Sequence, residues 1–260
     1  MTWDSFFIFA AATTVLTFAG AVLSARKQEL SRSALAFAIT GVLVQAAFVI
    51  TLWISLERPP MRTMGETRLW YSLFVLAAGI FVYAIWNFRW MLLLSGTLAS
   101  VFNIINLMKP EIHDQSLMPA LQSPWFIPHV TIYMLAYAIL ACATLLAIAG
   151  LIRPEKKYLP SIDNLIYIGT GMIFLGLFSG STWAKSAWGD YWSWDPKETW
   201  AAVTACGYLA YIHLRLSRPS YQKWSYALVI LSFLLLQMCW YGYQYLPSST
   251  ESMHLYNITQ

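Results

Sequence analysis

The chain has 260 residues, of which 58% are hydrophobic and only 11% charged. Soluble domains carry about 25% charged residues, so this composition excludes an ordinary soluble fold and points to integration in lipid. A formal charge of +4 is too small to argue for nucleic acid as a partner. Cys142, Cys206 and Cys239 lie inside apolar stretches without a CxxC pair, which argues against a thiol–disulfide or zinc–cysteine site.

The amino terminus lacks the charged start and small-residue cleavage site of a removable signal, so its first segment reads as a retained span. A bilayer core needs about 20 apolar residues per helix. Segments that meet this condition fall near 3–24, 34–55, 69–87, 90–108, 127–152, 164–182, 200–217 and 225–246. The predicted fold class is therefore all-α, a polytopic integral membrane protein with about eight transmembrane helices. Residues 1–108 form a predicted amino-terminal four-helix region, and 109–260 a second membrane region containing the loop 183–200. The connections near Pro154, Pro160 and Pro219 read as simple turns, and no internal repeat is evident.

Orientation follows from the charges. One set of connections holds ten cations, among them Arg26, Arg89, Lys156 and Arg218, against the three acids Glu29, Glu155 and Asp163. The other set holds six cations among nine acids. The positive-inside rule assigns the first set to the cytoplasm. Both termini and the loops near 56–68, 109–126 and 183–199 are then predicted on the non-cytoplasmic side.

The segment from Trp183 to Trp200 packs five tryptophans (Trp183, Trp188, Trp192, Trp194 and Trp200) and a tyrosine into eighteen residues. Such residues form belts at membrane interfaces. Indoles are also flat, low-entropy surfaces that stack on a planar ligand, with N–H groups for its polar edges; Lys185 or Lys197 can approach a carboxylate as a point charge. Asp195-Pro196 reads either as the cap and first residue of the next helix or as part of a ligand site.

Of the four histidines, His129 stands at the start of the fifth segment and His254 in the tail, both on the face of the tryptophan-rich loop. Each is a surface residue or an axial ligand to heme iron. His213 follows Trp200 by thirteen residues, about 20 Å along a helix at 1.5 Å per residue. It either snorkels beside Arg215 or serves a site within the span. His113, in a polar connection, reads as solvated.

The run WGDYWSWDPKETW from Trp188 to Trp200, with LQSPWFIPHV around His129, YIHLR around His213 and MHLY around His254, resembles the CcsA (ResC) family of System II cytochrome c biogenesis and its tryptophan-rich WWD motif. The resemblance implies a subunit of a holocytochrome c synthase (heme lyase) assembly. His129 and His254 would ligate heme b outside the membrane, and His213 would do so within a span. Trp183, Trp188, Trp192, Trp194, Asp195 and Trp200 would belong to the heme-binding region. The implied partners are a CcsB/ResB-like membrane subunit, apocytochrome c and a thioredoxin-like reductant. The implied place is the bacterial cytoplasmic membrane with the site on the external face, or the thylakoid membrane. The alternative is a CcmC-type carrier that handles heme transport without forming the thioether bond.

Overall fold

The computed structural model of the chain describes residues 3–113, 123–153 and 155–247. Eight α-helices follow one another: α1 (Phe6–Arg26), α2 (Arg32–Leu56), α3 (Met64–Trp86), α4 (Met91–Met108), α5 (Phe126–Ile152), α6 (Tyr158–Trp188), α7 (Pro196–Ser217) and α8 (Gln222–Trp240). The protein is an all-α polytopic membrane protein. Among the described residues, seven helices are long and apolar enough to cross a bilayer. The eighth, α7, has the length at 22 residues but carries Lys197, Glu198, His213 and Arg215, and it is not among the seven.

Several boundaries differ from the sequence expectation, and three helix ends extend past their apolar runs because polar residues can be helical. Thr63 caps α3 through Glu66 N–H, and the Glu66 side chain returns the bond to the cap, so α3 begins five residues before its apolar run. The 31 residues of α6 reach Trp188, which makes Trp183 and Trp188 helical rather than part of a loop. Pro196 starts α7, ahead of the predicted Trp200. Finally, α8 stops at Trp240 and a 3-10 turn, Gly242–Tyr245, follows.

The helices form two compact units, α1–α4 and α5–α8. In the first, α1 and α3 each pack on α2 and α4; in the second, α5 and α7 each pack on α6 and α8. Each unit is thus a closed ring of four helices. Small residues permit the close approach that lipid-embedded helices depend on. A Cβ on Gly41 of α2 would stand 2.8 Å from Thr17 Cγ2 of α1.

The interior of the first unit is partly polar. Gln45 Nε2 donates to Ser72 Oγ (2.9 Å) and Asn103 Oδ1 (3.1 Å), and Asn103 Nδ2 returns a bond to Gln45 Oε1 (3.3 Å). All three side chains are buried, and together they join α2, α3 and α4. Towards the start of α3, Arg58 grips the buried Glu66 carboxylate with two nitrogens at 2.9 and 3.0 Å. His113 lies in a 3-10 turn, Pro110–His113. It is not a solvated loop residue: its ring stacks on Trp3, with centroids 3.7 Å apart and planes 8° from parallel.

In the second unit, Asp163 near the start of α6 accepts from Arg215 Nε (2.9 Å) and Nη2 (2.8 Å) and from Tyr211 Oη (2.7 Å), all on α7. This clamp fixes the end of the unit opposite the tryptophans. Cys142 and Cys239 are buried thiols, whereas Cys206 is exposed on α7.

Asn103→Leu leaves the buried Gln45 Oε1 without its donor while Nε2 keeps Ser72 Oγ, and unfolding in detergent should register a loss on the order of 1 kcal/mol. The double variant Gln45→Leu/Asn103→Leu removes both partners and should recover most of that loss. Additive losses in the two single variants would mean that the pair is not coupled.

Candidate ligand site at the aromatic end of the second unit

The tryptophan-rich segment is a short loop between two helix ends. Gly189 closes α6 with φ +91°, and its N–H bonds to Lys185 O at 3.2 Å. Its carbonyl accepts from the Lys185 ammonium, which also stands 5.4 Å from the centre of the Tyr191 ring. The next helix begins with a reciprocal cap. Asp195 Oδ1 accepts from Glu198 N–H at 2.8 Å. Glu198 Oε2 accepts from Asp195 N–H at 3.3 Å, Ser193 N–H at 2.8 Å and Ser193 Oγ at 3.3 Å.

Between the two bracketed residues sits Trp194, at φ +61°. Positive φ is rare for a bulky residue, and such a conformation costs on the order of 1–3 kcal/mol unless its surroundings enforce it. Here Glu198 binds the backbone on both sides, and Thr199 Oγ1 donates to Trp194 O at 3.2 Å. The constraint turns the Trp194 ring outward, 69% exposed. Trp192 meets it edge-on, with centroids 5.6 Å apart and planes at 86°. The buried Trp192 Nε1 has no hydrogen-bond partner among the described residues.

A second group of rings lies where α5 begins and α6 ends. Trp183, buried on α6, packs against Phe126 (5.3 Å), His129 (5.4 Å) and Trp188 (5.2 Å). The half-buried His129 ring meets Tyr133 edge-on at 4.8 Å, and its Nδ1 stands 2.9 Å from Gly176 O. At the start of α7, the Lys197 ammonium lies 5.6 Å from the Tyr243 ring centre.

The structure therefore brings His129, Trp183 and Trp188 together in one cluster and pairs Trp192 with Trp194 in the adjoining loop. Asp195 caps α7, and Trp200 lies half-buried in that helix's second turn. His213 belongs to neither ring group: it is exposed on α7, two residues before the Arg215–Asp163 clamp. His254 lies outside the described residues. Sequence reasoning passed over Gly176, Gly180 and Tyr133, which surround His129; the available signal was the small-xxx-small spacing of the two glycines.

Fold and site define a polytopic helical membrane protein that presents an imidazole and tryptophans at one end of a four-helix unit. Residues 3–250 match the family described as cytochrome C assembly protein. Relatives named cytochrome c biogenesis protein CcsA include one from Cuscuta exaltata, 31% identical over 79% of this chain and 78% of its own length. Another, from Synechococcus sp. (strain JA-3-3Ab), is 30% identical over 86% of each. A third, from Chlamydomonas reinhardtii, is 36% identical over 62% of this chain, a match spanning 49% of the algal protein. Among solved structures, the cytochrome c heme lyase CcmF shares the fold with a TM-score of 0.73 at 17% identity, over 92% of this chain and 46% of that one. The chain belongs to the cytochrome c assembly family, as one of its CcsA proteins.

Glu198→Ala removes the acceptor that three donors share. It should lower stability by about 1–3 kcal/mol and expose residues 189–195 to protease, while Glu198→Gln keeps an acceptor oxygen and should lose less. Unfolding in detergent and limited proteolysis read both effects. Parent-like behaviour of Glu198→Ala would show that the carboxylate does not hold the loop.

Proposed function

We propose that this chain works in cytochrome c biogenesis by binding heme b beside its tryptophan loop and, with a CcsB/ResB-like membrane subunit, attaching it to apocytochrome c. The observation that carries the reading is the surroundings of His129. A carbonyl oxygen accepts and cannot donate, so the contact with Gly176 O puts the proton on Nδ1; in the neutral ring the lone pair is then on Nε2, the form that binds iron. The buried Trp183 against it, the half-buried Trp188 packed on Trp183 and the exposed Trp194 of the following loop suit a flat macrocycle. The unsatisfied Trp192 N–H fits an acceptor at the ligand's edge, since a buried donor left unpaired costs about 1–3 kcal/mol.

In this reading His129 and His254 are the two axial ligands on the external side, and Trp183, Trp188, Trp192, Trp194 and Trp200 form the surface on which heme is held. Asp195 contributes by capping α7. His213, exposed on α7, serves as an iron ligand on the inward part of the route together with the partner subunit. Each thiol of an apocytochrome CxxCH segment adds its S–H across a heme vinyl C=C. That addition changes no net oxidation state but requires reduced cysteines, which a thioredoxin-like reductant supplies. The CxxCH histidine then displaces one of the site's imidazoles and the product departs. Holding the reactants together is this chain's contribution, and proximity supplies several kcal/mol to such a step.

The test is heme content and visible spectrum of the chain purified with its partner, for parent, His129→Ala, His254→Ala and His213→Ala. Each variant should lose heme or axial-ligand signature together with cytochrome c maturation; parent-like values in all three would refute the ligand assignment. Trp192→Ala and Trp194→Ala should shed heme faster while keeping the histidine-ligated spectrum.

A further inference from the structure

Three residues of α6, Gly176, Gly180 and Trp183, recur at helical spacing and so share one face; the His129 ring of α5 contacts all three. Its Nδ1 lies 2.9 Å from Gly176 O. A Cβ on Gly180 would stand 2.6 Å from His129 Cε1 and 2.7 Å from Nδ1, closer than real Cβ contacts come. Tyr133, one turn along α5, closes another side at 4.8 Å and 87°; a Cβ on Gly176 would press on that tyrosine ring at 3.0 Å. Trp183 lies against the imidazole at 5.4 Å.

We propose that Gly176 and Gly180 are positioning residues for His129. Gly176 sets the tautomer through its carbonyl, and Gly180 leaves the gap that lets the ring reach that carbonyl. The proposal rests on the reading of His129 as a heme ligand. Bonding Nδ1–H to a backbone carbonyl leaves the ring's lone pair on Nε2. If the ring is pushed off the carbonyl, the proton can move to Nε2, the nitrogen that must bind iron. The Gly180 contact falls on the far end of a side chain. An added methyl therefore displaces the imidazole and leaves the two helix backbones in place.

The test pairs Gly180→Ala with Gly171→Ala. Gly171 lies on the same helix with nothing within 4 Å of an added Cβ, so both changes add the same helix propensity and only one meets the imidazole. The first measurement needs no heme. The full-length chain, labelled with ¹⁵N in its histidine rings and held in detergent, reports the protonation of each ring nitrogen, and the His129 signals are those missing in His129→Ala. Parent and Gly171→Ala should show Nδ1 protonated, and Gly180→Ala should lose that preference. The second measurement is heme affinity of the complex with its partner. Gly180→Ala should bind about 10–100-fold more weakly, the usual effect of disturbing a ligand's supporting hydrogen bond, at an unchanged unfolding temperature; free imidazole should restore the lost spectrum. A parent His129 protonated on Nε2 overturns the proposal, and so does parent-like heme affinity in Gly180→Ala. Full heme in His129→Ala overturns the ligand reading and the proposal with it, and the nitrogen signals tell that failure from a wrong tautomer.

Discussion

Hydrocarbon offers no water to hydrogen-bond, so every polar group placed between these helices must find its partner in the protein. That constraint governs the arrangement of the charged and amide side chains. Gln45 and Asn103 bond each other across helices of the first unit. Asp163 is held by two arginine nitrogens and a tyrosine hydroxyl. Glu66 and Glu198 satisfy the amides that open α3 and α7, where a helix start leaves donors without intrahelical acceptors. The same rule acts on His129, whose ring nitrogen meets a backbone carbonyl of the neighbouring helix.

The two glutamates play corresponding parts in the two rings of helices. Each lies at the third position of the third helix of its unit and returns a bond to the capping residue. Only the second brackets a residue in the left-handed region. The first is paired with an arginine and secures a helix start. The second holds an aromatic loop beside a cluster of rings, and the likeness to cytochrome c assembly proteins runs through this segment as part of a match to residues 3–250.

Much of the fold was legible in the residues because long apolar runs encode spans directly. The helix ends were less so. A window that seeks apolar residues stops at Glu66 or Lys185, although a capping carboxylate or a snorkelling lysine is compatible with a helix. The polarity of α7 is written in its own residues, whereas the partner that Arg215 finds on α6, Asp163, is set by the fold. In the site, the tryptophan spacing and the Asp-Pro pair are legible, and the bond from Glu198 N–H to Asp195 adds the capping role. His113 looked solvated because its stacking partner, Trp3, is 110 positions away in the chain. Gly176 and Gly180 are half-legible for a similar reason: glycines at this spacing say that something comes close, and only the fold says that it is an imidazole.

Trp194 carries its ring outward on a backbone that few tryptophans adopt. The backbone freedom that such a residue would have in an ordinary loop is already gone, because the Glu198 and Thr199 bonds hold it. The exposed ring therefore stands on a support whose ordering entropy was already lost in folding. A loop of the same composition without the Glu198 bracket would carry the same rings on a freer backbone. Their presentation is thus set by a carboxylate in the first turn of the next helix.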